Sequence, residues 1–323
     1  MADTKLYADE SAPDAGALAG GVGITAVERD TGINKETLRV WERRYGFPTP
    51  LRDAAGERLY PPAQVQRLHL VKRLLDAGHR PGRVVAASAE ELSALLQPAE
   101  APRRAGMQAE APEIAACAAL LQRHDIDGLR RTLSQTLLRR GLAGAVNEVF
   151  APLTTRIGEL WMGGTLQVFE EHIYSESLQL VLRQAIHALP AAATGGPRVL
   201  LTTLPGESHA LGLLMAEALF SLEGAACLSL GVQTPSAQLP GAVAAHRADV
   251  VALSFSSQLP NRAVVAGLAE VRGLLPANIE IWAGGSSRAL RLPGVPEGVQ
   301  CLDSLGAIAP RVASWRELLE SRL

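Results

Sequence analysis

One histidine in this 323-residue chain has neighbours spaced for coordination chemistry. His209 lies in Leu204-Pro205-Gly206-Glu207-Ser208-His209-Ala210-Leu211-Gly212, two residues after a carboxylate and three before a glycine. A neutral imidazole nitrogen is a good ligand for a transition metal, and the carboxylate can fix the tautomer and raise the ring's basicity. After Gly212, 41 residues lead to Ser254-Phe255-Ser256, and a further 27 lead to Gly284-Gly285. The glycines allow a bulky group to pass close to the backbone, and Ser254 offers a hydroxyl. Composition alone yields less than one His-x-x-Gly, and the copy at His79-Arg80-Pro81-Gly82 follows no strand and receives no function. Taken singly, His209 also reads as a surface or helix-cap histidine.

Two further groups stand out. Trp161 is followed after nine residues by Glu171-His172; by pattern alone the Trp reads as core and the Glu-His pair as a solvated helix start. Arg39, Arg43 and Arg44 project from the segment Asn34 to Tyr45, with Arg39 and Arg43 on one helical face, as a recognition helix presents side chains to a major groove and its phosphates. Trp41 between them serves either the core or the nucleic acid. Residues 21–80 hold eleven Lys or Arg against seven Asp or Glu, a balance of +4 inside a chain of net charge −2. That asymmetry suggests a polyanionic partner. Cys117, Cys227 and Cys301 are too scattered for a zinc site or a disulfide framework, and no apolar run approaches a membrane span. A cytoplasmic protein without membrane attachment is expected.

The elements that must hold these residues follow from periodicity. A helix from Thr25 to Thr31, a turn at Gly32 and a second helix from Asn34 form a helix-turn-helix, with Thr25 and Asn34 as expected N-caps. Gly56 between Arg52 and Arg58-Leu59-Tyr60 predicts a two-stranded wing. The Ala-, Pro- and Glu-rich stretch before Pro112 reads as a linker. Four helices are predicted at 114–124, 126–140, 142–160 and 168–189, enough for a small bundle. Strands are predicted at 198–203, 226–230, 249–255, 279–283 and 298–302, separated by helical lengths, as in a doubly wound parallel sheet. The fold class is thus multidomain α and α/β. Its expected boundaries are 21–90 for the winged helix, 91–111 for the linker, 112–190 for the bundle and 197–323 for the sheet domain.

The run Thr37-Leu38-Arg39-Val40-Trp41-Glu42-Arg43-Arg44-Tyr45-Gly46, then Pro48, Arg58-Leu59-Tyr60 and Leu74-Leu75-Asp76-Ala77-Gly78, resembles MerR-type winged-helix regulators over about Ile24 to Val85. The resemblance implies a homodimer on near-palindromic promoter DNA, with Thr37, Arg39, Arg43, Arg44, Arg58 and Tyr60 as contacts. From Arg198 onward, the spaced Glu-x-His-x-x-Gly, Ser-x-Ser and Gly-Gly elements resemble the cobalamin-binding domain of corrinoid methyltransferases, mutases and light-responsive regulators. Ser256 departs from the usual Leu, and Glu207 from the commoner Asp.

This second resemblance implies His209 as the lower axial ligand of cobalt. The dimethylbenzimidazole tail would enter a slot bounded by Glu207, Ser208, Gly212, Ser254, Ser256, Gly284, Gly285 and the Leu230–Pro235 segment with Thr234. With it, Trp-x9-Glu-His resembles the bundle of CarH-type adenosylcobalamin photoreceptors, implying Trp161, Met162, Glu171 and His172 around the upper ligand. Light-responsive members carry His where this chain has Met162, and a thioether is a softer ligand.

The resulting expectation is a non-enzymatic, cobalamin-binding regulator, best fitted by adenosylcobalamin. It would sense light or corrinoid through its upper ligand, changing its oligomeric state, dimer or tetramer, and its promoter binding. RNA polymerase is a further implied partner. The rivals are a corrinoid methyl-transfer or mutase accessory protein, disfavoured because the other domain is spent on DNA and leaves no room for a substrate barrel, and a corrinoid-independent regulator.

Overall fold

The computed structural model describes residues 21–53, 56–76, 79–88, 91–92, 95, 111–192 and 195–321, except the side chains of Arg73, Asp76 and Met162. Two compact units lie within residues 1–97 and 98–323. The expected linker, and Ala77-Gly78 of the motif quoted above, fall largely or wholly outside the described residues.

In the first unit, β1 (Val22–Gly23) leads directly into α1 (Ile24–Thr31), and α2 (Lys35–Tyr45) follows a left-handed Gly32 at φ 68°. Asn34 caps α2 as expected, its Oδ1 accepting the Glu36 N–H at 2.8 Å, and the Glu28 carboxylate accepts the Lys35 N–H at 3.1 Å. Two of the helix's orphan donors are thereby satisfied. Thr25 is not a cap: α1 starts one residue earlier, after Gly23, because that segment is drawn into a strand. The wing forms as expected from β2 (Leu51–Arg52) and β3 (Arg58–Tyr60), paired Leu51 to Leu59, and β1 adds itself to the other edge of β3. Helix α3 (Pro62–Asp76) and the single turn α4 (Pro81–Val84) follow. Val27, Leu38, Trp41, Phe47, Tyr60, Leu68 and Val71 make its core.

The second unit opens with α5 (Pro112–Gln122), α6 (Ile126–Gly144), α7 (Ala151–Met162) and α8 (Val168–His187), with a π-helical stretch at Ala145–Phe150. Gly141, at φ 67° and ψ 171°, interrupts α6 where the sequence breaks before Leu142; only a residue without Cβ takes that conformation easily. The sheet domain runs β4 (Arg198–Thr202), α9 (Leu211–Leu222), β5 (Ala226–Ser229), α10 (Leu239–His246), β6 (Val250–Phe255), α11 (Asn261–Leu274), β7 (Glu280–Gly285), β8 (Val299–Leu302) and α12 (Ile308–Glu320). Its strands are all parallel, in the order β5-β4-β6-β7-β8. The chain therefore reverses its course across the sheet at β4, and the carboxyl ends of β4 and β6 flank the crevice where such sheets bind ligands.

Alternation along the strands divides the core. Leu200, Val251 and Ile281 face α10 and α11 through Leu239, Val243, Leu268 and Val271. Val199, Leu201, Val250 and Trp282 face the other way, into a cluster shared with Leu214 and Phe220 of α9 and with Leu129, Leu133, Phe150 and Leu178 of the bundle. Bundle and sheet thus bury one continuous apolar core.

Candidate functional site

The loop from Thr203 to Ala210 carries the chain from β4 into α9 and turns at Gly206, where φ is 89°. The Glu207 side chain it presents is 1% exposed, yet both carboxylate oxygens are engaged. Oε1 accepts from His209 Nδ1 at 2.6 Å and from the His209 backbone N–H at 3.1 Å, while Oε2 accepts the Ser256 N–H at 2.7 Å. One carboxylate thus joins the ends of β4 and β6 across the crevice. Burial pushes the Glu207 carboxyl upward, but the His209 ring and the Ser256 and His209 backbone donors outweigh it, and it ends below its ordinary value. The same bond to Glu207 raises the His209 imidazole above its ordinary value, partly offset by burial. Glu171, on α8 of the bundle, adds to that upward pull.

With Nδ1–H donated to Glu207, the neutral ring keeps its lone pair on Nε2, on a side chain 56% exposed. No cluster of three or more His, Cys, Asp or Glu among the described residues is arranged to hold a metal ion. A metal ion held by this one imidazole would need its other donors from a group bound with it. A Cβ at Gly212 would meet Ser254 Oγ at 3.2 Å, and one at Gly285, where φ is 120°, would lie 2.1 Å from the Phe255 carbonyl oxygen. Gly284 is less constrained, since a Cβ there would touch Leu302 only at 3.8 Å.

The remaining expected residues divide. Ser254, at the end of β6, faces Gly212. The Ser256 N–H donates to Glu207 and its hydroxyl also helps to lower that carboxyl, while its Oγ accepts the Gln258 N–H at 3.1 Å. Thr234 turns inward, its Oγ1 2.7 Å from Thr202 Oγ1, and Ser208 is exposed. Trp161 ends α7 and packs half-buried on the bundle core. Glu171 and His172 lie in the first turns of the antiparallel α8, at the same end. Glu171 Oε2 is 3.2 Å from His172 Nδ1 and its Oε1 accepts from Ser175 Oγ at 2.7 Å. The side chain of Met162 is outside the description. Thr203 escaped the sequence reading: it is fully buried beneath the loop, and its hydroxyl binds both Glu207 and Gln233. A Thr doublet ending a strand was its only signal.

In the first unit, Arg43 and Arg44 are exposed on α2, with Arg44 over the Tyr45 ring at 5.4 Å; Thr37 is half-buried, and Arg39 pairs with Glu36 at 2.7 Å. Arg58 is tied to α2, its Nε donating to Glu42 at 3.0 Å, and this bond raises its pKa. Tyr60 corrects the expectation of a DNA contact. It is 0% exposed and its hydroxyl is buried without a hydrogen-bond partner, because β3 lays the face of Arg58 and Tyr60 against the core and α2. Trp41, 6% exposed, is core. No helix among the described residues is long and apolar enough to cross a membrane.

Comparison with known proteins agrees with this anatomy. Residues 23–88 match the MerR HTH family of regulatory proteins, and residues 113–186, the bundle, match a B12 binding domain. The HTH-type transcriptional repressor CarH of Myxococcus xanthus is 32% identical over 262 residues, covering 79% of this chain and 86% of CarH. The repressor CarA of the same organism is 34% identical over 238 residues, covering 72% and 75%. A monomethylamine corrinoid protein of Methanosarcina barkeri superposes over 64% of this chain and 100% of its own, at 12% identity and a TM-score of 0.49. With a DNA-binding winged helix, a B12-binding domain and similarity to transcriptional regulators over most of its length, the chain belongs to the MerR-type regulators that carry a B12-binding domain, the family of CarH and CarA.

Proposed function

We propose that this regulator binds adenosylcobalamin between the Trp161 end of the bundle and the carboxyl ends of β4, β6 and β7, with His209 as the lower cobalt ligand. Loss of the upper ligand then changes its oligomeric state, dimer or tetramer, and its hold on promoter DNA. The carrying observation is the Glu207–His209 pair, which fixes the proton on Nδ1 at 2.6 Å and leaves Nε2 to the metal. When bound, the group supplies a cobalt–carbon bond that light can break. The protein's part is to hold, shield and read it. Glu207 orients the imidazole, Gly212, Ser254 and Gly285 bound the site beside it, and Trp161, Glu171 and His172 bound it from the bundle. Residues 21–90 read DNA, residues 112–190 and 197–323 hold the cofactor, and promoter occupancy sets access for RNA polymerase in the cytoplasm. The mechanism is a population shift: ligand states that favour different assemblies give different DNA affinities.

The test is an absorption spectrum of the purified protein with added adenosylcobalamin, before and after green light, alongside sedimentation and promoter-binding measurements. A bound, light-sensitive spectrum with a change in assembly supports the proposal; no binding, or binding unaffected in His209→Ala, refutes it. Met162 favours a second reading, a sensor of corrinoid presence rather than of light, because a thioether holds cobalt less firmly than imidazole. Under that reading illumination leaves no stable second nitrogen ligand in the parent but does in Met162→His.

A further inference from the structure

The loop bearing His209 is fastened from below by a residue that does not touch the imidazole. Thr203 is fully buried at the end of β4. Its Oγ1 donates to the Glu207 carbonyl at 2.6 Å and accepts the Gln233 N–H at 2.8 Å, and its carbonyl accepts the Thr234 N–H at 3.0 Å. The hydroxyl's single proton and one of its lone pairs are both in use, on two different loops. Gln233 holds its end at φ 60°, a conformation rare outside glycine, and its Oε1 accepts the Gly206 N–H at 3.3 Å. The Glu207 N–H is bound to the Leu204 carbonyl at 3.0 Å. The main chain of Glu207 is therefore held on both sides, leaving its side-chain torsions to set the carboxylate between His209 and Ser256.

We infer that Thr203 is a positioning residue for the lower ligand: it clamps the β4 loop to the β5 loop and so keeps the Glu207 carboxylate under His209 Nδ1. The inference rests on the reading of His209 as that ligand. A valine of the same shape leaves the buried Glu207 carbonyl and the part-buried Gln233 N–H without this partner, whereas serine keeps both bonds. Partners at one remove from a metal change its affinity by about 10–100-fold, and Thr203, acting through Glu207, belongs at the lower end, about tenfold.

The experiment uses the full chain grown on ¹⁵N-histidine and loaded with cob(II)alamin, in the parent, Thr203→Ser, Thr203→Val and His209→Ala. The unpaired electron of cobalt(II) splits on its axial nitrogen, giving a doublet from ¹⁵N-histidine and a triplet from the cofactor's own ¹⁴N base. The expected result is a doublet in the parent and in Thr203→Ser, and a loss of doublet with about tenfold weaker binding in Thr203→Val. A Thr203→Val protein with the parent's doublet and affinity overturns the inference while leaving His209 as ligand. A doublet that survives in His209→Ala overturns the reading beneath it. If Thr203→Val does not fold, Thr203→Ala, which leaves space for a water, is judged by the same two results.

Discussion

Replacing Glu207 with glutamine sets the site's buried hydrogen bonds against one another. In the parent both carboxylate oxygens accept, one from His209 Nδ1 at 2.6 Å and one from the Ser256 N–H at 2.7 Å. A glutamine has one oxygen to share between these donors. If it faces His209, the amide NH₂ points at the Ser256 N–H, and a buried donor is left unpaired at a cost of about 1–3 kcal/mol. If it faces Ser256, the NH₂ points at Nδ1, and the imidazole must move its proton to Nε2, the atom proposed to bind cobalt. Either outcome weakens ligation by about 10–100-fold, or about 1.4–2.8 kcal/mol.

The pH dependence separates the two effects. Glu207 raises the His209 imidazole above 6.5, so a proton competes for Nε2 already above that pH. Parental binding should weaken by about tenfold per pH unit below the raised value. In Glu207→Gln the raising bond is gone, so competition should begin at lower pH while the plateau affinity falls. Cobalamin titrations followed by absorption across pH 5 to 9, with ¹⁵N chemical shifts of the His209 ring in cobalamin-free protein, measure both. A variant with the parent's plateau affinity, midpoint and tautomer would refute the reasoning.

The glycines of the slot should divide by mechanism. Gly285→Ala places a Cβ 2.1 Å from the Phe255 carbonyl at φ 120°, so it should lower the melting temperature by an amount corresponding to several kcal/mol. Gly212→Ala, 3.2 Å from a rotatable serine hydroxyl, should cost about 1 kcal/mol or less of stability and show its effect in cobalamin affinity; equal melting losses in the two would contradict this. Tyr60→Phe removes a buried hydroxyl that has no partner and should leave promoter binding unchanged with stability equal or higher; weakened DNA binding at full stability would restore Tyr60 as a contact. Arg43→Ala should reduce the slope of log affinity against log salt by about 1. Arg58→Ala should weaken binding more, because it also frees the Glu42 carboxylate, its partner at 3.0 Å, beside the phosphates. Filter binding over a salt series gives both, and an Arg58→Ala loss smaller than that of Arg43→Ala would count against the coupling.

Elements with a strong period were legible from the sequence. The five strands and three of the four bundle helices fall within a few residues of their expected spans, while the helix expected at 142–160 is divided into the π-helical stretch Ala145–Phe150 and α7; alternating and 3.6-residue apolar patterns record which face of each element must leave water. The Glu207–His209 pair was legible too, since residues two apart on one loop meet without help from the rest of the fold. The residues misread depended on partners distant in sequence. Tyr60 shares a strand with Arg58, and no local pattern says that their face of β3 turns inward onto Leu38 and Trp41. Val22–Gly23 is too short to carry a period and is a strand only because β3 has an open edge. Ser256 and Thr203 acquire their roles from contacts across 49 and 30 residues of sequence. The sequence by itself determined the elements and the histidine with its carboxylate. Only the tertiary structure decided which backbone donors hold that carboxylate and that bundle and sheet share one core, because burial and hydrogen-bond satisfaction are settled by the whole packed chain and not by any window of it.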